Sequence, residues 1–157
     1  MKPFRIDHPL NGLQRLLLTV WVGAMWSIGY VAAPVLFTAI ESRMQAGAIA
    51  GTLFTAVSWI GFVCGGLILL IQWRAGQRGL GRIAVSCIVT MLVVTSIGQF
   101  GLQPMMADLK AQVPVGTEMN GVLRSQFGML HGLSSSLFLM VSLLGALAVW
   151  RAAPQEA

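Results

Sequence analysis

The chain has 157 residues, of which 56% are hydrophobic and only 10% are charged. A soluble domain carries about 25% charged residues, because it must cover its core with a hydrated surface. The composition therefore excludes a water-soluble globule and predicts a single domain, residues 1–157, whose missing polar surface is replaced by a lipid bilayer. The net charge of +5 does not indicate nucleic acid as a partner, because the ten Lys and Arg residues are scattered between apolar blocks.

Four stretches without charged side chains predict four transmembrane helices. They cover residues 16–40, 44–73, 83–107 and 125–150. About 20 apolar residues cross the hydrocarbon as a helix, and helices satisfy every backbone polar group without water. We expect an all-α integral membrane four-helix bundle. Its spans should cover about residues 16–40, 48–73, 83–103 and 127–150.

The positively charged residues predict the orientation of the bundle. Seven of them lie near the two termini or between the second and third spans: Lys2, Arg5, Arg15, Arg74, Arg78, Arg82 and Arg151. Only Arg43, Lys110 and Arg124 lie in the other two links. Because cations concentrate on the cytoplasmic side, both termini should be cytoplasmic. The small size and simple charge pattern favour a multi-pass protein of the bacterial inner (cytoplasmic) membrane.

The link between the third and fourth spans is the only long segment outside the predicted spans. Met105, Met106 and Leu109 recur there at helical spacing, ahead of Pro114. This pattern predicts a short amphipathic helix in the outer loop.

Small and polar residues recur at helical spacing on one side of each predicted span. In the first span the stripe includes Thr19, Gly23, Ser27, Tyr30 and Pro34, and the other spans carry Gly47, Gly51, Gly61, Gly65, Thr95, Gln99, Gln103, Arg124, Gly128, His131, Ser135 and Ser142. Glycine stripes bring helix backbones into close contact in a membrane. The same stripes could instead line a hydrated cavity, so both interpretations stay open. In either case these sides should face the interior of the bundle.

His131 is the centre of the candidate ligand site. It lies roughly 10 Å along the helix from Arg124, inside a predicted span, where an ionisable side chain is a hypothesis of function. Pro34 has no N–H, so the carbonyl of Tyr30 loses its helical donor. We expect His131, Gln99 or a trapped water to bond this carbonyl, which requires the first and fourth helices to be adjacent. The candidate ligand-binding residues are His131, Tyr30, Gln99, Arg124 and Ser135. In the alternative, His131 is only a hydrogen-bonding clasp.

The sequence contains no pattern of soluble-type catalysis. No nucleophile with a base, paired carboxylates or glycine-rich phosphate loop is present, so we expect no enzymatic activity and no cofactor. Methionine thioethers favour Cu(I), but Met44, Met105, Met106, Met119 and Met129 do not have the spacing of a metal-site motif. A haem site normally needs a second histidine within a span.

Two groups of residues resemble the transmembrane protein 205-like family, small membrane proteins whose common activity is not established. The first consists of Trp21 and Trp26 followed by the run Tyr30-Val31-Ala32-Ala33-Pro34-Val35-Leu36-Phe37. The second is Leu123-Arg124-Ser125-Gln126-Phe127 followed by His131-Gly132-Leu133-Ser134-Ser135, and Leu102-Gln103-Pro104 lies between them. The resemblance covers about residues 13–150 and implies four membrane helices. Some members carry an acidic residue at the position of Gln103 and an asparagine at that of Phe138, so this interior is less polar.

The leading functional hypothesis is a membrane protein that binds or passes a small solute or metal ion near the outer face. The second is a scaffold or assembly factor, with a homo-oligomer or a membrane protein as its partner. The third is a cofactor-dependent redox protein. This hypothesis would agree with a distant likeness of the family to copper-resistance and haem-pathway membrane proteins. A likeness at the level of fold cannot decide between them.

Overall fold

The structure is a computed structural model that describes residues 9–75, 79–114, 117 and 119–152. The described chain is all-α, and four of its helical segments are long and apolar enough to cross a membrane. The elements are α1 (Pro9–Trp26), a π-helical segment (Ser27–Ala32), α2 (Ala33–Ala39), α3 (Arg43–Ala75), α4 (Arg82–Ile97), a second π-helical segment (Gly98–Leu102), α5 (Gln103–Ala111) and α6 (Gly121–Ala152). The four spans are Leu10–Ala39, Arg43–Ala75, Arg82–Ala111 and Gly121–Ala152. By helix length and hydropathy, the chain is a multi-pass membrane protein.

The four spans form a closed ring of neighbours. The first span packs on the second through α1 and α3, and the third packs on the fourth through α4 and α6. Contacts of α3 with α4 and of α1 with α6 close the ring. The predicted adjacency of the first and fourth helices is therefore confirmed.

The helix ends follow from local sequence. Ser42 Oγ accepts a hydrogen bond from the N–H of Gln45 at 3.3 Å, and Asn120 Oδ1 accepts one from the N–H of Leu123 at 3.0 Å. These side chains satisfy N–H groups that have no partner inside the helix, so α3 and α6 begin there. The helix α5 ends at Ala111, three residues before Pro114, which cannot continue a helix.

One half of the bundle is tightly packed. This terminal half comprises residues 10–25, 57–75, 82–94 and 141–152. Its centre consists of large apolar side chains that are almost completely buried, namely Leu18, Trp21, Ile68, Ile88 and Met91. Both free cysteines, Cys64 and Cys87, are buried in it.

A glutamine lock closes the end of the terminal half. Gln14 is completely buried and donates to the carbonyl of Ile68 at 3.2 Å and to Gln72 Oε1 at 3.3 Å. Gln72 in turn accepts from the N–H of Leu80 at 2.7 Å and donates to its carbonyl at 3.2 Å. A Cβ at Gly79 would overlap the Gln72 amide, so a larger residue there would displace the Gln72 side chain from these bonds. The lock ties α1 and α3 to the loop before α4.

The first and third spans share a π-helical segment followed by a proline. The N–H of Ala33 reaches the carbonyl of Ile28, five residues earlier, and Gln103 does the same to Gly98. Pro34 and Pro104 are each the second residue of the helix that follows. Neither His131 nor Gln99 donates to the Tyr30 carbonyl among the described residues, so these two alternatives are wrong, and the third, a trapped water, stays a prediction. The wider π turn is the backbone's own adjustment to a helical proline.

Two further details differ from expectation. Residues 103–111 are helical, but they continue the third span through the π-helical segment instead of forming a separate helix. In the first span Thr19, Gly23 and Ser27 are exposed, although their stripe was expected to face the interior. The cytoplasmic location of both termini stays a prediction. Of the cations behind it, Lys2, Arg5 and Arg78 lie outside the described residues.

Candidate functional site

The other half of the bundle contains a large open cleft. This loop cleft has a volume of about 1590 Å³. It is lined by residues of all four spans and, in the links between them, by Glu41, Ser42, Val113, Thr117 and Met119. Its walls combine polar and aromatic side chains. In the terminal half, by contrast, the helices meet through apolar side chains, apart from the glutamine lock.

The cleft brings together the five residues predicted to bind a ligand. The residues that line the cleft include Tyr30, Gln99, Arg124, His131 and Ser135. Tyr30 and Gln99 occupy equivalent positions, because each lies in a π-helical segment and directly follows a Ser-Ile-Gly sequence. Pro34, Gly47 and Gly51, which were predicted to be structural, also line the cleft.

An aromatic cluster, the aromatic floor, lies in the inner part of the cleft, and a few core side chains beyond it, including Trp21 and Met25, also line the recess. The Phe138 ring makes edge contacts with Tyr30 and with Phe54, each at 5.5 Å between centroids. Gly29 lies directly beneath Phe138, and a side chain there would overlap the phenyl ring. The floor therefore joins the first, second and fourth spans at the level where the packed core begins.

His131 is oriented by a neighbouring ring. Its imidazole stacks on Phe127 at 6.0 Å with an interplanar angle of 10°. The ammonium of Lys110 lies 5.4 Å from the centre of the same phenyl ring, within the range of a cation–π contact. The alternative role as a hydrogen-bonding clasp is not supported, since the His131 ring makes no hydrogen bond within the described chain. Ser135 Oγ bonds only the His131 backbone carbonyl, at 2.9 Å.

Two polar side chains of α5 bridge the cleft on its α3 side. Lys110 Nζ donates to the carbonyl of Gly47 at 3.2 Å, and Gln103 Nε2 donates to that of Gly51 at 3.4 Å. Because glycine has no side chain, the carbonyls of Gly47 and Gly51 stay accessible to these donors, and this is the role of the two glycines in the structure. The sequence reasoning missed Lys110 as a site residue. The signal was its spacing of seven from Gln103, which returns to the same helix face after two turns.

Gln99 has an unsatisfied polar atom in the cleft wall. Its Oε1 atom is buried and has no hydrogen-bond partner in the described structure. A buried acceptor without a donor costs about 1–3 kcal/mol, so this oxygen is available to a donor group on a bound molecule. The neighbouring Thr95 lines the same wall.

The predicted packing glycines fall into two groups. A side chain at Gly61 would collide with the Trp21 indole, and one at Gly65 would come within 3.0 Å of Leu92 and Trp21. These two glycines allow close packing of α1 and α4 on α3. Gly128 differs, since a Cβ there would meet nothing within 4 Å. Its predicted role in packing is not seen within the described chain, because the space beside this glycine is open.

The metal hypothesis finds limited geometric support. The described residues contain no group of three or more His, Cys, Asp or Glu side chains that could hold a metal ion. Of the five methionines considered for copper, Met44, Met106 and Met119 line the cleft. Met105 and Met129 are 52% and 71% exposed and are not among the lining residues.

The fold and the cleft define a four-span membrane protein with an open recess in one half. Residues 16–114 match the family described as a domain of unknown function, DUF4149. This match covers more than half of the chain, and the protein belongs to that family. It ends before α6, so it does not include His131. No curated protein matched, and no solved structure matched.

Proposed function

We propose that the protein binds a small organic solute in the loop cleft, as a non-enzymatic membrane protein. The single observation that carries this proposal is the convergence of Tyr30, Gln99, Arg124, His131 and Ser135 on one recess. These side chains offer hydrogen-bond donors and acceptors beside aromatic rings. Binding sites for small molecules have this mixed character.

The packing of the terminal half supports binding over passage. At its inner end the cleft is lined by Trp21, and the core side chains of Val22 and Met91, which do not line it, are at most 4% exposed. Protein interiors of this kind contain few voids larger than a water molecule. Transport would need the spans to move apart, whereas binding needs no rearrangement.

Two finer assignments accompany the proposal. The cations near the termini favour a cytoplasmic terminal half, which places the cleft at the outer face of the bacterial inner membrane. The second motif, from Leu123 to Ser135, supports a relation to the transmembrane protein 205-like family. Within that motif, Arg124, His131 and Ser135 line the cleft.

A neutral aromatic dye provides the test. Prodan is titrated into the purified protein in detergent micelles, and its fluorescence is corrected for empty micelles. Ser135→Trp should fill the cleft and weaken saturable binding about tenfold or more, equivalent to about 1.4 kcal/mol. Ser136→Trp is the matched control, because Ser136 is the next residue, makes the same local bond, 3.0 Å to the carbonyl of Gly132, and does not line the cleft.

His131→Ala is the second variant. It removes the ring that stacks on Phe127 and should weaken Prodan binding while the yield of folded protein is unchanged. Saturable binding that is equal in the Ser135→Trp and Ser136→Trp variants would refute the proposal, as would a parent protein that binds no more dye than empty micelles.

A further inference from the structure

The cleft walls are electrostatically polarised along the bundle. Among the described lining residues, Arg43, Lys110 and Arg124 are cationic, and Glu41 is the one carboxylate. Arg43 begins α3, Lys110 is in the last turn of α5 and Arg124 is in the first turn of α6. All three cations therefore lie at the loop end of the cleft, where their combined field attracts an anion.

The opposite end of the cleft is apolar and lies at a defined depth. Phe54 follows Arg43 by 11 residues, and Phe138 follows Arg124 by 14. At 1.5 Å per residue, the cations lie about 16–21 Å above the aromatic floor. Half of a hydrocarbon core about 30 Å thick is about 15 Å. The cleft thus has roughly the depth of one lipid leaflet.

The two sides of the cleft differ in closure. On one side α5 is tied to α3 by the bonds of Lys110 and Gln103 to glycine carbonyls. On the other side α2 packs on α3 rather than α6. Among the described residues, no hydrogen bond or ring contact joins α2 to α6 above the Tyr30–Phe138 contact. Tyr30 and Phe37 line the cleft yet are 50% and 45% exposed, so the cleft opens sideways between α2 and α6.

The size of the cleft favours an extended occupant. Sites for small molecules commonly measure about 300–1,000 Å³, and this recess measures about 1590 Å³. A bare ion or a small polar molecule would leave the aromatic floor in contact with water. A molecule with one charged end and one apolar chain matches both ends of the cleft at once.

We propose that the loop cleft accepts a single-chain amphiphile with an anionic headgroup, which enters from the membrane between α2 and α6. The headgroup lies among Arg43, Lys110 and Arg124, and the chain reaches down to Phe138. This inference rests on the proposed function, since it names the class of solute that the same site binds.

The test compares two probes that differ only in the head. Pyrenedodecanoate and pyrenedodecanol are titrated into the full chain in nanodiscs of phosphatidylcholine. The acid should bind about tenfold more tightly than the alcohol, since one hydrogen bond to a charged group contributes about that factor. Bound pyrene should be quenched by doxyl-labelled lipid chains and not by aqueous iodide, because the side of the cleft is open to lipid.

Charge variants separate the site from the lipid annulus. Arg124→Gln should weaken binding of the acid about threefold to tenfold and leave the alcohol unchanged. Lys110→Gln should act in the same direction and keeps an amide donor near Gly47. Arg74→Gln is the control, because Arg74 is in the last turn of α3, in the terminal half, and should have no effect.

Each contrary result has a distinct meaning. Preference for the acid that survives Arg124→Gln and Lys110→Gln would show binding in the lipid annulus only and overturn the inference. Equal affinities for acid and alcohol, both lost in Ser135→Trp, would overturn the headgroup assignment and leave the proposed function standing. Quenching by iodide alone would overturn the sideways opening. If neither pyrene probe nor Prodan binds, the proposed function itself is wrong.

Discussion

The terminal half and the loop half of this bundle are made of the same four helices but are packed in different ways. In the terminal half, large apolar side chains around Trp21 fill the interior, and two glycines let neighbouring side chains approach α3 closely. In the loop half, polar residues face each other across an open recess. The boundary between the halves is the contact of Phe138 with Tyr30 and Phe54.

The contrast indicates that the two halves have different tasks: one holds the helices together, and the other can hold a ligand. Lipid gives helices no hydrophobic reason to associate, so close packing of small and large residues must hold them together. The terminal half and its glutamine lock provide that packing. Buried polar atoms without a partner among the described residues occur in both halves, Gln99 Oε1 in the loop half and Gln14 Oε1 and Ser142 Oγ in the terminal half. We infer that stability is concentrated in one half so that the other can hold a binding site.

The largest expected difference between the halves is in the chemical accessibility of α6. Ser135 is exposed and lines the cleft, whereas Ser142, two turns further on, is only 3% exposed. Ser135→Cys should react with a charged, water-soluble maleimide about a hundredfold faster than Ser142→Cys, because a thiol in the core reacts only after local opening. The measurement is the rate of mass increase of each single variant in detergent.

The unmodified protein is the control for this experiment, since Cys64 and Cys87 are buried in the terminal half and should stay unreactive. Similar rates at the two serine positions would mean that water crosses the Phe138 floor. The division into a packed half and an open half would then be wrong.

A smaller effect is expected on stability when the packed half is overfilled. Gly61→Leu forces a side chain against Trp21, which is 1% exposed and has no room to move. Overpacking of this kind costs about 1–3 kcal/mol. Thermal unfolding in detergent should show a lower midpoint for this variant. Gly66→Leu, on the exposed side of the same helix with nothing within 4 Å, should leave the midpoint nearly unchanged.

A Gly61→Leu variant as stable as the parent would show that the α1–α3 contact adapts easily. The packed half would then not be the source of stability, and the contrast would lose its energetic basis.

The number of spans could be predicted from the sequence because it depends on the absence of charge over long stretches. The predicted span 83–103 became Arg82–Ala111, and 127–150 became Gly121–Ala152. The structure extends both helices because charged and polar residues beyond the apolar stretch stay helical. Lys110 is one of them and was assigned to a loop. Spacing also grouped the five candidate residues, which do line one cleft.

The facing of the first span could not be predicted, and the reason is the π-helical segment. An unbroken period of 3.6 residues places Thr19 and Gly23 on the same side as Tyr30. A π turn holds an extra residue and shifts the side that follows by about one position. Before this segment, the side chains that face the interior are Leu18, Trp21 and Met25. Within and after the segment, the cleft is lined by Tyr30, Pro34 and Phe37. Nothing in the periodicity marks such an insertion, although the proline after it is a signal.

The smallest expected effect concerns Gly128, which neither packs in the core of the terminal half nor lines the cleft. Gly128 and Gly132 have open space around them, and Met129 between them is 71% exposed. Gly128→Ala should therefore leave the unfolding midpoint unchanged or raise it slightly, since alanine favours a helix by about 1 kcal/mol over glycine. A lower midpoint would mean that this glycine packs on a second copy of the chain, because a Cβ there meets no described residue within 4 Å. Cross-linking in the native membrane distinguishes the two outcomes: dimers lost in Gly128→Ala would assign the glycine to an interface between chains, while an unchanged pattern would leave it without a protein neighbour.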